Sequence, residues 1–183
     1  ACTDMSDTDE LTAFIDTWWQ SIDDFTLLLE ELAPEQWHQP TDLAGWNVHA
    51  IAAHIAHLEA ILAGAQHDDG IDVSDAPHVT NPKGTFTEQG VVARRERSGD
   101  ELIREIRESA TARRTALLAE PPSIGDAPAP GLFGALGWSW RVLLRNRPLD
   151  VFMHEQDIRR AVGLTGGTDS PAATHTAEYL LES

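Results

Sequence analysis

From Leu11 to Leu32 the apolar residues Leu11, Phe14, Ile15, Trp18, Ile22, Phe25, Leu29 and Leu32 recur at three- and four-residue steps. A stripe of that period runs along one side of an α-helix, and only another apolar surface can bury it. The pattern returns along the chain. Asn47, a good N-cap residue, opens VHAIAAHIAHLEAILAG, which Gly64 closes. The chain is helical again from about Phe86, with an interruption at Ser98-Gly99. Ser98 followed by Glu101 is a capping-box signature that restarts a helix through Leu102, Ile106, Ala110 and Leu117. A last long helical region covers Trp138 to Val162 and ends at Gly163. It is expected to bend or restart at Pro148, because proline fits a first turn and not a helix interior. Pro171 opens a further helix that is still running at Ser183. No stretch alternates like a strand over more than a few residues. The expected fold is all-α, with four principal helices forming a bundle joined by long loops.

The stretches APEQWHQPTDLAGW, AQHDDGIDVSDAPHVTNPKG and PPSIGDAPAPGLFGALG, rich in Pro, Gly and Asp, are the connectors. The latter two are long enough to be either mobile or functional. A chain of 183 residues suits one domain. Residues 1–10 read as a disordered leader or tag remnant around Met5, and residues 11–183 as the bundle, with more chain expected after Ser183. The formal net charge of −17 argues against a nucleic-acid partner, which needs a surplus of Lys and Arg. The single cysteine, Cys2, leaves no disulfide framework and fits a cytoplasmic setting. No apolar run approaches the roughly 18 residues of a membrane span, so no membrane partner is expected, and the N-terminus lacks a signal-peptide layout.

Chemistry concentrates in two segments. In RPLDVFMHEQDIRRAVG, Asp150, His154 and Asp157 follow at four- and three-residue intervals and share a helix face. In the second helix, His54 falls roughly 75° from the centre of the apolar stripe, whereas His49 and His57 lie more than about 130° away and are expected to be mostly solvated. His54 therefore sits at the rim of the core, facing a neighbouring helix or a cleft. On spacing alone the first reading of His54 is a boundary histidine satisfied by one hydrogen bond, and that of Asp157 a partner for Arg159 or Arg160. A His from one helix with an Asp and a His from another would also supply three ligands of an open metal site. His78, in a loop, is either an added ligand or exposed. Trp18 and Trp19, being adjacent, cannot both face the core.

The segments GWNVHAIAAHIAH and RPLDVFMHEQDIRRAVG, in that order and separated by two long loops, resemble the two signature segments of the mycothiol-dependent maleylpyruvate isomerase family, a branch of the DinB-like four-helix-bundle metalloproteins. The resemblance spans the first helix to the Gly163 turn. It implies a divalent metal, zinc or else nickel, held by His54, Asp150 and His154. The characterised isomerases resemble a Glu pattern where this chain has Asp150; one methylene shorter, it must reach from a closer backbone or leave coordination to water. Asp157 matches a recurrent acidic position and would orient a ligand or pair an arginine.

The resemblance further implies an enzyme, an S-transferase or isomerase of actinobacterial type, in which the metal activates the sulfur of mycothiol for attack on a small electrophile. The nucleophile is an external thiol, since Cys2 lies in a polar tail. Arg141, Arg145 and Arg147 make the last segment locally basic, which would suit a carboxylate-bearing substrate. Trp138 and the two long loops are expected to wall the cleft. The same ligands would also serve metal-assisted hydrolysis without a thiol, or a non-catalytic metal-binding bundle.

Overall fold

The structure is a computed structural model that describes residues 5–183. Its elements are α1 (Asp7–Glu31), a 3₁₀ turn (Pro34–His38), α2 (Val48–Leu62), α3 (Pro82–Ala93), α4 (Gly99–Ala119), α5 (Gly131–Ala135), α6 (Trp140–Val162) and α7 (Pro171–Leu181), with no strand among the described residues. The all-α expectation holds. The helix starts are written in the sequence. Ser6, Asn47, Asn81, Ser98, Ser139 and Ser170 each accept a backbone N–H of the first turn through the side chain. The capping box of Ser98 and Glu101 is formed. Gly163 ends α6 at φ 72°, a left-handed conformation that lets its N–H reach the Arg159 and Arg160 carbonyls.

The four long helices close a square: α1 packs on α4 and α6, and α2 completes it against the same two. Its centre is filled by Leu11, Ile15, Trp18 and Phe25 of α1, Ile51 and Ile55 of α2, Leu102 and Ile106 of α4, and Val151 and Ile158 of α6. Trp18 takes the core side and Trp19 the boundary. α3 covers the outer face of α2, and α7 lies against α1 and α6.

Three sequence expectations are corrected. First, residues 7–10 are helical and not part of a leader. α1 begins at Asp7, because Ser6 caps it and Asp7 and Glu10 both bind Arg141 of α6. Residues 1–4, with Cys2, lie outside the described residues. Second, α6 does not restart at Pro148, which lies buried inside one helix. Leu144, Val151 and Ile158, seven residues apart on the core side, bury one stripe on both sides of the proline, and that packing outweighs a missing hydrogen bond. Third, His57 is not solvated but 1% exposed. α2 is buried from Ala50 to Ala60, since α3 and the preceding loop cover the side that the stripe leaves free. Gly90 of α3 makes this possible: a Cβ there would lie 2.1 Å from Nδ1 of His57.

Candidate metal centre

His54 stands in the middle of α2, where its side chain leaves the core towards α6. Asp150 and His154, one turn apart on α6, face it. The three offer ligand atoms that all lie within 4.8 Å of one another. Nε2 of His54 is 3.8 Å from Oδ2 of Asp150, and Nε2 of His154 is 3.5 Å from Oδ1. These separations are long for hydrogen bonds. The second is close to what two ligands of one ion show, since bonds of about 2.1 Å set neighbouring ligand atoms roughly 3.4 Å apart. Two imidazoles and a carboxylate from two helices are a donor set that suits zinc or nickel, so the residues present fit such an ion.

A family model, the mycothiol maleylpyruvate isomerase N-terminal domain, matches residues 18–159, which takes in α2, all three ligand candidates and most of α6. The chain belongs to this family. No curated protein and no solved structure matches it. The matched domain is DinB-like and helical, in agreement with the closed square of α1, α2, α4 and α6.

Within this domain the electrostatics divide the triad. Burial, opposed in part by Asp150, pushes His54 down to about 3 and keeps the ring neutral. Burial also disfavours charge on His154, but the carboxylates of Asp150 and Asp157 outweigh it and raise the ring to about 9. Asp150 resists ionisation through burial, yet His154, Arg147 and His54 hold it well below the usual carboxylate range. Asp157 Oδ2 lies 3.1 Å from Nδ1 of His154, and its other oxygen accepts from Arg160 at 2.6 Å. A carboxylate on the far nitrogen aims Nε2 at the site, the usual arrangement behind a metal-ligating histidine. The indole of Trp46, from the connector before α2, lies 5.0 Å from the His54 ring and 6.5 Å from that of His154. Its Nε1 donates to Glu88 of α3 at 2.7 Å, which locks this wall of the site.

Behind Asp150 lies a buried charge pair that helical spacing does not single out. Arg147, 2% exposed, donates to Asp150 Oδ2 at 2.9 Å and to Oε1 of the fully buried Glu59 at 2.8 Å. Nε1 of Trp18 donates to the same Glu59 oxygen at 3.1 Å. Glu59 was findable as the one carboxylate in a helix, VHAIAAHIAHLEAIL, otherwise made of apolar residues and histidines.

The remaining sequence-predicted residues are placed elsewhere. Arg141 is tied to Asp7, Glu10 and Asp126, about 13 Å along α6 from Asp150 at 1.5 Å per residue. Arg145 pairs with Glu182 and lies over the Tyr179 ring. Arg147 is sealed in the core. Trp138 packs on Phe133 and pairs its carbonyl with the Ala129 N–H. The structure thus brings neither Arg141, Arg145 nor Trp138 to the triad. His78 is no added ligand either, because its Nε2 lies 2.9 Å from Glu88. A cleft of about 980 Å³ between the connector and the start of α4 includes Trp46 but none of the three ligand candidates. Among the described residues no helix is long and apolar enough to cross a membrane.

Proposed function

We propose that the protein is a divalent-metal-dependent enzyme that activates mycothiol, a low-molecular-weight thiol, for transfer to, or isomerisation of, an electrophilic small molecule. The observation that carries this reading is the convergence of His54, Asp150 and His154 in a member of a family named for mycothiol and for an isomerase. These three residues would hold the ion. When bound, the ion supplies the positive charge that keeps a thiol deprotonated near neutral pH. The chain's own part is preparation. Asp157 fixes the ring plane of His154, the Arg147 bond fixes the carboxylate of Asp150, and burial keeps His54 neutral and ready to donate. Trp46, held by Glu88, closes one side against water. The electrophile would approach from the side where Asp150 and His154 are only partly covered, at 24% and 15% exposure of their side chains.

The test begins with metal content by elemental analysis of the purified protein, followed by conjugation assays on small electrophiles with and without mycothiol. Near-stoichiometric metal and turnover only when the thiol is present support the reading. Turnover of esters or amides without the thiol would replace it by metal-assisted hydrolysis. A chain that takes up no zinc or nickel would end it.

A further inference from the structure

Two charged side chains in the core have no explanation in packing. Glu59 is fully buried and Arg147 is 2% exposed, and both stand among leucines, isoleucines and alanines. Taking such a pair out of water is expensive, and well-packed apolar residues are often as stable or more so. What the pair does instead is visible at its outer end. Arg147 spans the distance between Glu59 Oε1 and Asp150 Oδ2 with its two terminal nitrogens, at 2.8 and 2.9 Å. Trp18 steadies Glu59 from α1. Oδ2 of Asp150 is thereby engaged, whereas Oδ1 points to Nε2 of His154 at 3.5 Å.

We propose that Glu59 and Arg147 are positioning residues for Asp150, resting on the metal-dependent function proposed for this site. Arg147 holds one carboxylate oxygen so that the other binds a divalent cation singly, and Glu59 cancels the guanidinium charge that would repel that cation. The charge balance makes the point. With Arg147 alone beside it, Asp150 would present no net charge to an incoming dication. With Glu59 added, the group presents one negative charge, as a lone Asp150 would, but in a fixed orientation. Glu59 is needed all the more because a second buried guanidinium, Arg113, lies 5.2 Å over the Trp18 ring.

The experiment uses the full chain, stripped of metal and titrated with Co²⁺, reading both the dissociation constant and the visible absorption of the bound ion. Glu59→Gln keeps an oxygen for Trp18 and Arg147 and removes only the charge. It is expected to weaken Co²⁺ binding roughly 10- to 100-fold, the range seen when groups behind metal ligands are lost, and to change the absorption spectrum. The double variant Glu59→Gln/Arg147→Met removes both charges. It should bind more tightly than Glu59→Gln alone, because the uncompensated cation is gone, while its spectrum stays altered because Asp150 has lost its anchor. A merely structural pair would lower the melting temperature and leave the affinity and spectrum of folded protein unchanged. The inference is overturned if Glu59→Gln binds and absorbs like the parent, or if the double variant is no tighter than the single one. Should Glu59→Gln not fold, a parental spectrum in the double variant overturns it alone. If the parent itself binds no Co²⁺, the metal reading falls as well, and the parent titration separates the two failures.

Discussion

His54 and His57 stand less than one turn apart on α2, and both are buried and pushed down to about 3 mainly by that burial. Their surroundings differ in kind. His54 looks across to an anionic carboxylate and a second imidazole on another helix, with Arg147 and Asp157 behind them. His57 looks at His67, whose Nδ1 is 3.0 Å from its Nε2, and through it at Gln89, with the Phe86 ring tilted against it, the ring centres 4.8 Å apart. Among the described residues no carboxylate is bonded to the second cluster. A buried neutral imidazole is common to both, so burial and a depressed pKa do not mark a site. What separates them is the charge of the partners and whether those come from independent helices. On that ground the first cluster can hold a cation, and the second is a hydrogen-bonded relay that fastens the loop of residues 65–81 to α2 and α3.

The largest test of this difference is to delete each cluster's histidines. His54→Ala/His154→Ala should take metal from near one equivalent to almost none while the bundle still folds, because both side chains lie at the edge of the core. His57→Ala should do the reverse, keeping the metal and losing about 3 kcal/mol of stability through the cavity and the stranded His67. Elemental analysis and chemical denaturation of both variants decide it. If His57→Ala also empties the site, the two clusters are one unit. Gly90→Ala is a smaller push on the same relay. Its new Cβ would fall 2.1 Å from the His57 ring, so a loss of about 2 kcal/mol with metal content unchanged is expected.

The pH dependence sharpens the comparison further. Burial first, then the Arg94 guanidinium at the end of α3 and the neighbouring His67 ring, oppose protonation of His57. Its folded value lies below the unfolded one, so between about 6.5 and 3 the unfolded chain binds a proton that the folded chain refuses. Stability supplied by His57 is therefore complete above the unfolded value and falls as pH drops through that window, by at most about 1.4 kcal/mol per pH unit. His154, raised to about 9, has the opposite sign: its contribution is complete below about 6.5 and fades as pH rises through 9. Denaturation of metal-free parent and His57→Gln at pH 7 and pH 5 isolates the first effect. The parent should lose more stability than the variant, and equal losses would mean that His57 is protonated where it stands.

These two clusters also mark the boundary of what the sequence discloses. Helix starts were legible because Ser and Asn caps act locally, and His54, Asp150 and His154 were legible because helical spacing and the family resemblance single them out. His57 was misplaced for a physical reason: the apolar stripe fixes only the face of α2 turned to the bundle, whereas α3 and the preceding loop, rich in polar residues, cover the other face through His67, Gln89 and Gly90. Arg141 and Arg145 were misjudged in the same way. Composition shows that they are cationic, but only the fold reveals that the termini bring Asp7, Glu10 and Glu182 to them. Long-range charge pairing has no period, so it left no trace in the pattern.

The finest distinction concerns Asp157. It accepts from the far nitrogen of His154 much as His67 meets His57, but it is a carboxylate where His67 is an imidazole. Asp157→Asn retains an oxygen for Nδ1 and gives His154 an uncharged amide in place of the carboxylate. The ring keeps its aim while losing the negative charge that strengthens Nε2 as a donor. Zn²⁺ affinity, measured by competition with a coloured chelator, should fall about tenfold, the lower end of the range for such partners. Asp157→Ala, which also frees the ring, should fall further. If Asn and Ala weaken binding equally, aim rather than charge is what Asp157 supplies; if Asn has no effect, the charge of the partner does not separate the two histidine clusters, and the helix from which each ligand comes is left as the difference that matters.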